Sequence, residues 1–313
     1  MLTRRQVVQA AIAHQEIGHV PYFINLTRDA QEIVAPHFPG ADLSVAMGNH
    51  VHAISAPWWG WHDIPASYRD FDDPVVLPKT RGHGSYTAYQ EELIRLKEET
   101  SCYVLVMIYG SHFEKANSAR GIENFLGDIG GHKDFARRML NKIIDKNMVM
   151  LENLLGYEGI DGILLGSDWG SQHGLLMSPN AWRDLIAPGE QREYDLVHAE
   201  GKDVWLHSCG NIEAILPDLI EIGVDVLNPV QPECMDIYRL KERYGGQLTF
   251  WGGISTQQTL PFGTPAQVRA EVREVVSRMG RGGGYITSPA QAIQSDVPIA
   301  NMLALIEEAR AHA

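Results

Sequence analysis

GIDGILL at residues 159–165 and DVWL at residues 203–206 are two short, continuously apolar runs, separated by a long helical pattern at 178–200. Both runs are bounded by Gly or Asp and favour β-branched, aromatic and large aliphatic residues. A strand covered by helices on both faces reads this way, because it has no solvent face to alternate with. The pattern continues toward the C-terminus with VDVLNPV at 224–230, LTFWG at 248–252 and GYIT at 284–287. Helical stretches lie between these runs. Ser178-Pro179 opens the one at 178–200, Gly223 closes 211–222, Gly245-Gly246 ends 236–244, and Thr264-Pro265 and Gly280 bracket 266–279; a last helix spans 299–311. Upstream, VPYFIN at 20–25, HVHAISA at 50–56 and YVLVMIY at 103–109 supply three more apolar runs. Eight strands alternating with helices predict an α/β protein, a single (β/α)8 TIM barrel spanning 1–313 as one domain, with an amphipathic helix at its N-terminus.

One stretch does not fit a short βα loop. Residues 57–84 contain Trp58, Trp59, Trp61 and Tyr68 among many Pro and Asp residues. A long loop of this kind predicts a lid or a binding wall; the alternative is a surface loop whose tryptophans simply pack.

Composition narrows the function classes. The 313 residues are 44% hydrophobic, with 26 Lys and Arg against 39 Asp and Glu, a net charge of −13. Such an acidic chain lacks the basic footprint that nucleic-acid binding or docking on anionic lipid requires. No apolar run approaches the ~20 residues needed to span a bilayer. Three scattered cysteines, Cys102, Cys209 and Cys234, do not form a disulfide framework and suit the reducing cytoplasm. Neither a GxSxG elbow nor a GxGxxG fingerprint occurs, which removes the usual support for a serine hydrolase or a dinucleotide enzyme.

In a barrel of this type the chemistry sits at the carboxyl ends of the strands. The run at 203–206 leads into His207-Ser208-Cys209-Gly210. Residues two apart on extended chain project to one side, so an imidazole and a thiol face together, half of a zinc site. The plain alternative is a core cysteine beside a hydrogen-bonded histidine. A catalytic zinc takes about three protein ligands. Cys234, just past the run at 224–230, is the first candidate for the third, with Gln291 and Asp168 behind it. Asp168, at the end of the run at 159–165, is a candidate general acid or base, a partner orienting His207, or a ligand. His173 is a second catalytic candidate. Trp169 and Gln172 combine aromatic and polar surface as pockets do, although a plain loop turned by Gly170 and capped by Asp168 reads the same. Trp251, beside Gly252-Gly253, marks a place where a ligand approaches the backbone closely. Asn25 and Asn228 are further candidate substrate contacts, expected on the same face as Asp168 and His207.

These motifs resemble the uroporphyrinogen decarboxylase-like superfamily, which includes cobalamin- and coenzyme-M-linked methyltransferases. The resemblance rests on Gly166-Ser167-Asp168-Trp169-Gly170, His207-Ser208-Cys209-Gly210, Asn228-Pro229-Val230-Gln231-Pro232, Gly283-Gly284-Tyr285-Ile286-Thr287-Ser288-Pro289, and the N-terminal helix followed by His19-Val20-Pro21. It implies the same barrel fold. The decarboxylases of this family carry an Arg-Gln-Ala-Gly-Arg-Tyr segment after the first strand, whose arginines hold the porphyrinogen carboxylates. Here Tyr22-Phe23-Ile24-Asn25-Leu26-Thr27-Arg28-Asp29 retains one arginine, so porphyrinogen decarboxylation is not expected. The methyltransferase branch implies His-x-Cys plus a distant cysteine on zinc. His207 and Cys209 match, but Ala290-Gln291 stands where the distant cysteine would be. The expectation is a zinc-dependent methyltransferase-like enzyme that moves a methyl group between a small substrate or thiol and a corrinoid, either free or carried by a separate protein. Two rivals stand beside it: a decarboxylase or lyase acting on a small carboxylic acid, and a barrel that binds a corrinoid or tetrapyrrole without turnover.

Overall fold

The structure is a computed structural model that describes residues 2–40, 42–70, 78–108 and 110–313. Among the described residues nine strands occur: β1 Val51–Ser55, β2 Trp58–Trp61, β3 Thr80–His83, β4 Tyr103–Met107, β5 Gly162–Gly166, β6 Asp203–His207, β7 Val226–Val230, β8 Thr249–Ile254 and β9 Tyr285–Pro289. The chain divides into two compact units. One takes Met1–Ala53, Leu96–Val104 and Asp225–Ala313; the other takes Ile54–Arg95 and Leu105–Val224.

In the first unit β7, β8 and β9 pair in parallel, with Phe250 opposite Tyr285 and Gly253 opposite Ser288. All three strands are buried along their length, which is why their sequences show no alternation. The predicted strand at 20–25 is a hydrogen-bonded lane without regular strand geometry. It bridges β9 at Tyr22↔Thr287 and meets the segment beyond it at Leu26↔Ile293. On its other side the His50 amide donates to the Tyr22 carbonyl. At Ile24 the side chain of Asn49 stands in for a neighbouring strand: Asn49 Oδ1 accepts from the Ile24 amide at 2.9 Å and its Nδ2 donates to the Ile24 carbonyl at 3.0 Å. A side-chain amide satisfies the backbone there as well as a ladder would, so apolar burial persists while strand geometry lapses. The N-terminal helix Arg4–Ile12 starts at a capping box formed by Thr3 and Gln6, and Pro265–Met279 starts at another formed by Thr264 and Gln267.

In the second unit β4, β5 and β6 pair in parallel, and their register ends with Gly166 opposite His207. The expected helix at 178–200 is two helices, Pro179–Leu185 and Ala187–Ala199, parted at Ile186. Pro188 explains the break: it has no N–H to give and its ring crowds the preceding turn. The expected lid at 57–84 contains a hairpin, β2 against β3, with Trp58 opposite His83. Trp59 and Trp61 are buried, and Trp58 stacks on His83 at 4.1 Å between ring centroids. Residues 71–77 of that stretch, and Tyr109 of the run at 103–109, lie outside the described residues. The helices Tyr86–Glu99, His112–Arg120, Ile122–Gly131 and Lys133–Leu155 occupy a region to which sequence reading assigns only one strand. Among the described residues no helix is long and apolar enough to cross a membrane. The fold is therefore α/β with parallel strands joined through helices.

Candidate active site

Strands β5 and β6 end side by side, and two loops leave them together. Asp168 lies two residues beyond the end of β5, and Cys209 two residues beyond the end of β6 at His207. The Cys209 amide donates to Asp168 Oδ1 at 2.9 Å. His207 Nε2 lies 3.3 Å from Cys209 Sγ and 3.5 Å from Asp168 Oδ1. One nitrogen, one sulfur and one carboxylate oxygen thus fall within 4.8 Å of one another on half-exposed side chains.

Glycines make the approach of the two loops possible. A Cβ on Gly166 would stand 2.2 Å from the His207 carbonyl oxygen, and one on Gly170 2.5 Å from the Cys209 carbonyl oxygen. Gly210, at φ +80°, would place a Cβ 2.5 Å from the Gly170 carbonyl carbon. Only glycine avoids both the contact and the left-handed strain. Hydrogen bonds then lock the loops: Trp169 N–H to Ser208 Oγ at 3.1 Å, and Asn211 N–H to the Ser171 carbonyl at 2.8 Å.

The remaining sequence candidates take varied positions. Trp169 is fully buried, edge-on to Trp182 with centroids 5.3 Å apart, so packing occupies its ring. Gln172 and His173 lie exposed on a turn closed by the Gly170↔Leu175 bridge, where the His173 amide donates to Ser171 Oγ at 3.3 Å. In the other unit Asn228 is buried and its Nδ2 donates to the Trp251 carbonyl at 3.4 Å. Trp251 packs edge-on against Phe23, and Asn25 is exposed. Cys234 is half-buried, in a pocket lined also by Glu233, Tyr238, Gly253 and Glu271. Burial, and then the adjacent Glu233 charge, push its thiol pKa up. Arg28 has a side chain 95% exposed and pairs along its own helix with Glu32 at 3.8 Å.

Sequence reading missed Glu114. Its Oε1 accepts from the Asp168 amide at 3.1 Å, and its own amide donates to Ser167 Oγ at 3.2 Å. Burial is the main reason its carboxyl pKa is raised; the Asp168 amide opposes the shift and the Asp168 charge adds to it. Nothing in the local sequence points to Glu114, because it sits near the start of a helix, where a glutamate is ordinary.

Residues 83–312 match the family model described as uroporphyrinogen decarboxylase (URO-D). The chain belongs to this family. A uroporphyrinogen decarboxylase from Neisseria meningitidis serogroup C is 26% identical over 187 residues, 52% of this chain and 48% of that one. The methylcobamide:CoM methyltransferase MtaA of Methanosarcina barkeri is 28% identical over 131 residues, 42% of this chain and 36% of that one. The matches to these curated relatives thus span half of their length or less. Among solved structures, a methyltransferase from Methanosarcina mazei superposes with a TM-score of 0.71 at 18% identity, covering 99% of each chain. At that identity the likeness shows a shared fold, which is TIM-barrel-like.

Proposed function

We propose that this chain is a zinc-dependent methyltransferase of the uroporphyrinogen decarboxylase family, built on one closed (β/α)8 barrel. The observation that carries the reading is the convergence of Asp168, His207 and Cys209 from two adjacent strand ends. A thiolate, an imidazole and a carboxylate are the donor types that catalytic zinc takes, and three protein ligands leave a further position for substrate. Asp168 supplies the third donor without a cysteine at Gln291. Bound zinc would supply Lewis acidity, lowering the pKa of a substrate thiol or polarising a methyl-bearing oxygen.

The protein's own contributions follow from the geometry. The Cys209 amide holds Asp168 Oδ1 in place beside His207, and Glu114 fixes the start of the Asp168 loop through its hydrogen bond to the Asp168 amide. The small substrate would bind at this half-exposed face, where the acceptor is held for transfer. The methyl group would pass to or from a corrinoid on a separate protein, in the reducing cytoplasm. The names of the methyltransferase relatives support this reading.

Decarboxylation of a small carboxylic acid is the second reading, and the names of the decarboxylase relatives favour it. The placement of Arg28 counts against a porphyrinogen as its substrate, because a side chain facing solvent and paired along its own helix forms no carboxylate clamp. The test is methyl transfer between methylcobalamin and a panel of small thiols, with zinc content measured in wild type, Cys209→Ser, Asp168→Asn and Cys234→Ser. Zinc-dependent transfer lost in Cys209→Ser supports the proposal. Zinc-independent turnover of carboxylic acids would replace it with the second reading.

A further inference from the structure

A second cluster of metal-ligating side chains lies in the same unit and belongs to no part of the site above. His112 begins the helix His112–Arg120, directly after Ser111, while Glu190 and Glu193 lie one turn apart on the helix Ala187–Ala199. All three residues are 0% exposed, and their ligand atoms fall within 4.8 Å of one another. Two carboxylates in such a place must be compensated, since an unpaired buried charge costs several kcal/mol.

The hydrogen bonds show how far the protein itself compensates. Glu193 is satisfied: its Oε1 accepts from Asn147 Nδ2 at 2.7 Å and its Oε2 from Ser111 Oγ at 2.7 Å. Asn147 is itself oriented by the Trp59 indole N–H, which donates to its Oδ1 at 3.0 Å. Glu190 is not satisfied, because neither carboxylate oxygen has a hydrogen-bond partner. His112 Nδ1 lies 3.2 Å from Glu190 Oε1 and 3.0 Å from Ser111 Oγ, so one proton on that nitrogen serves only one of them. The Tyr194 hydroxyl is the other donor facing Glu190, but it too is buried without a partner of full hydrogen-bond geometry.

The imidazole is posed as a ligand. His112 Nε2 lies 3.2 Å from the Ile186 carbonyl, which accepts only, so Nε2 carries a proton, and in the neutral imidazole Nδ1 turns its lone pair toward the carboxylates. A histidine that donates its other N–H to a backbone carbonyl is the usual arrangement around a protein-bound metal. Gly189 makes room for it, since a Cβ there would stand 2.9 Å from His112 Nε2 and 2.8 Å from Ile144 Cγ1.

We propose that His112, Glu190 and Glu193 form a second, structural site for a divalent cation of the manganese(II), iron(II) or zinc(II) class. One imidazole and two carboxylates suit such ions better than soft monovalent copper. The ion would satisfy both Glu190 oxygens at once and tie the two helices together. Two carboxylates balance the charge of a divalent ion. Burial lowers the Lys115 pKa to about 8 against the pull of Glu193 and Glu190. The competing arrangement keeps protons on His112 and Lys115 with no metal bound.

The experiment removes the first site and counts metal at the second. The full chain carrying His207→Ala and Cys209→Ser is produced in manganese-supplemented medium, purified without chelators and assayed by elemental analysis and electron spin-echo spectroscopy. The expected result is about one equivalent of manganese, with a single histidine nitrogen coupled to it, falling by at least about tenfold when Glu190→Gln is added. A double variant with no stoichiometric manganese, iron or zinc overturns the proposal, as does manganese that Glu190→Gln leaves in place. Should the Glu190→Gln chain fail to fold, the spin-echo spectrum of the double variant decides. A histidine coupling supports the site, and a shell of oxygen ligands alone overturns it. Because the first site is already disabled, failure here leaves the methyltransferase reading intact.

Discussion

The two ligand clusters of the second unit offer the same number of donors in opposite settings. Asp168, His207 and Cys209 stand half-exposed at strand ends, on loops that glycines hold together. His112, Glu190 and Glu193 are sealed between helices, with Ser111, Asn147 and Trp59 orienting the ligands. An exposed set that includes a cysteine would leave a position for substrate and exchange a bound metal readily. A sealed set of oxygen and nitrogen donors admits no substrate and, with an ion bound, would serve stability. On the two proposals, ligand type and exposure together, more than proximity alone, would separate a reaction centre from a structural ion site.

The largest effect that would break this contrast is on the exposed cluster. Cys209→Ser is expected to lower zinc affinity by more than about 100-fold and to abolish methyl transfer, while the thermal midpoint changes little. Equilibrium dialysis and differential scanning calorimetry measure the two. Asp168→Asn should lose about 10- to 100-fold in zinc affinity or activity, because the amide keeps the contact with the Cys209 N–H but weakens the ligand. Gly189→Ala addresses the sealed cluster alone. Its added methyl meets His112 and Ile144, and the overpacking should cost about 1–3 kcal/mol in urea unfolding with zinc at the first site unchanged.

The pH dependence of metal-free protein sharpens the comparison further. Lys115 has its folded pKa lowered to about 8 by burial, below the ordinary lysine value near 10.4. Between those values the unfolded chain binds the extra proton, so the Lys115 penalty is fully present below about pH 8 and is relieved as pH rises toward about 10.4. Stability should therefore gain an alkaline component that Lys115→Met lacks, read as the difference between their urea midpoints across that range. The smallest expected signal is catalytic: uroporphyrinogen should yield no coproporphyrinogen above background, since the paired arginines are absent and Arg28 faces solvent.

What the sequence makes legible follows from periodicity. His207 and Cys209 are two apart at a strand end, and Asp168 follows the neighbouring strand, so period-two projection and barrel anatomy pick them out together. The strands from β5 onward are legible because continuous apolar runs mark them. The lane at 20–25 reads as a strand because it is buried, and nothing local reveals that the Asn49 side chain replaces its ladder. The sealed cluster stays hidden for a different reason: glutamates in a helix ordinarily face water. A signal exists in the phase of the pattern, since Glu190, Glu193, Tyr194 and Val197 are spaced as one inner helix face and all are buried. Reading 178–200 as one unbroken helix blurs that phase, and Pro188 is the residue that should have divided it. Glu114 is legible only once the Asp168 loop is seen to rest on it.

Whether Cys209, His207 and Asp168 jointly hold zinc is decided by X-ray absorption at the zinc edge on protein loaded with one equivalent. The expected shell has one sulfur neighbour at ~2.3 Å with nitrogen and oxygen neighbours at ~2.0–2.2 Å, and loses the sulfur in Cys209→Ser. A shell of nitrogen and oxygen alone, unchanged by Cys209→Ser, would contradict it.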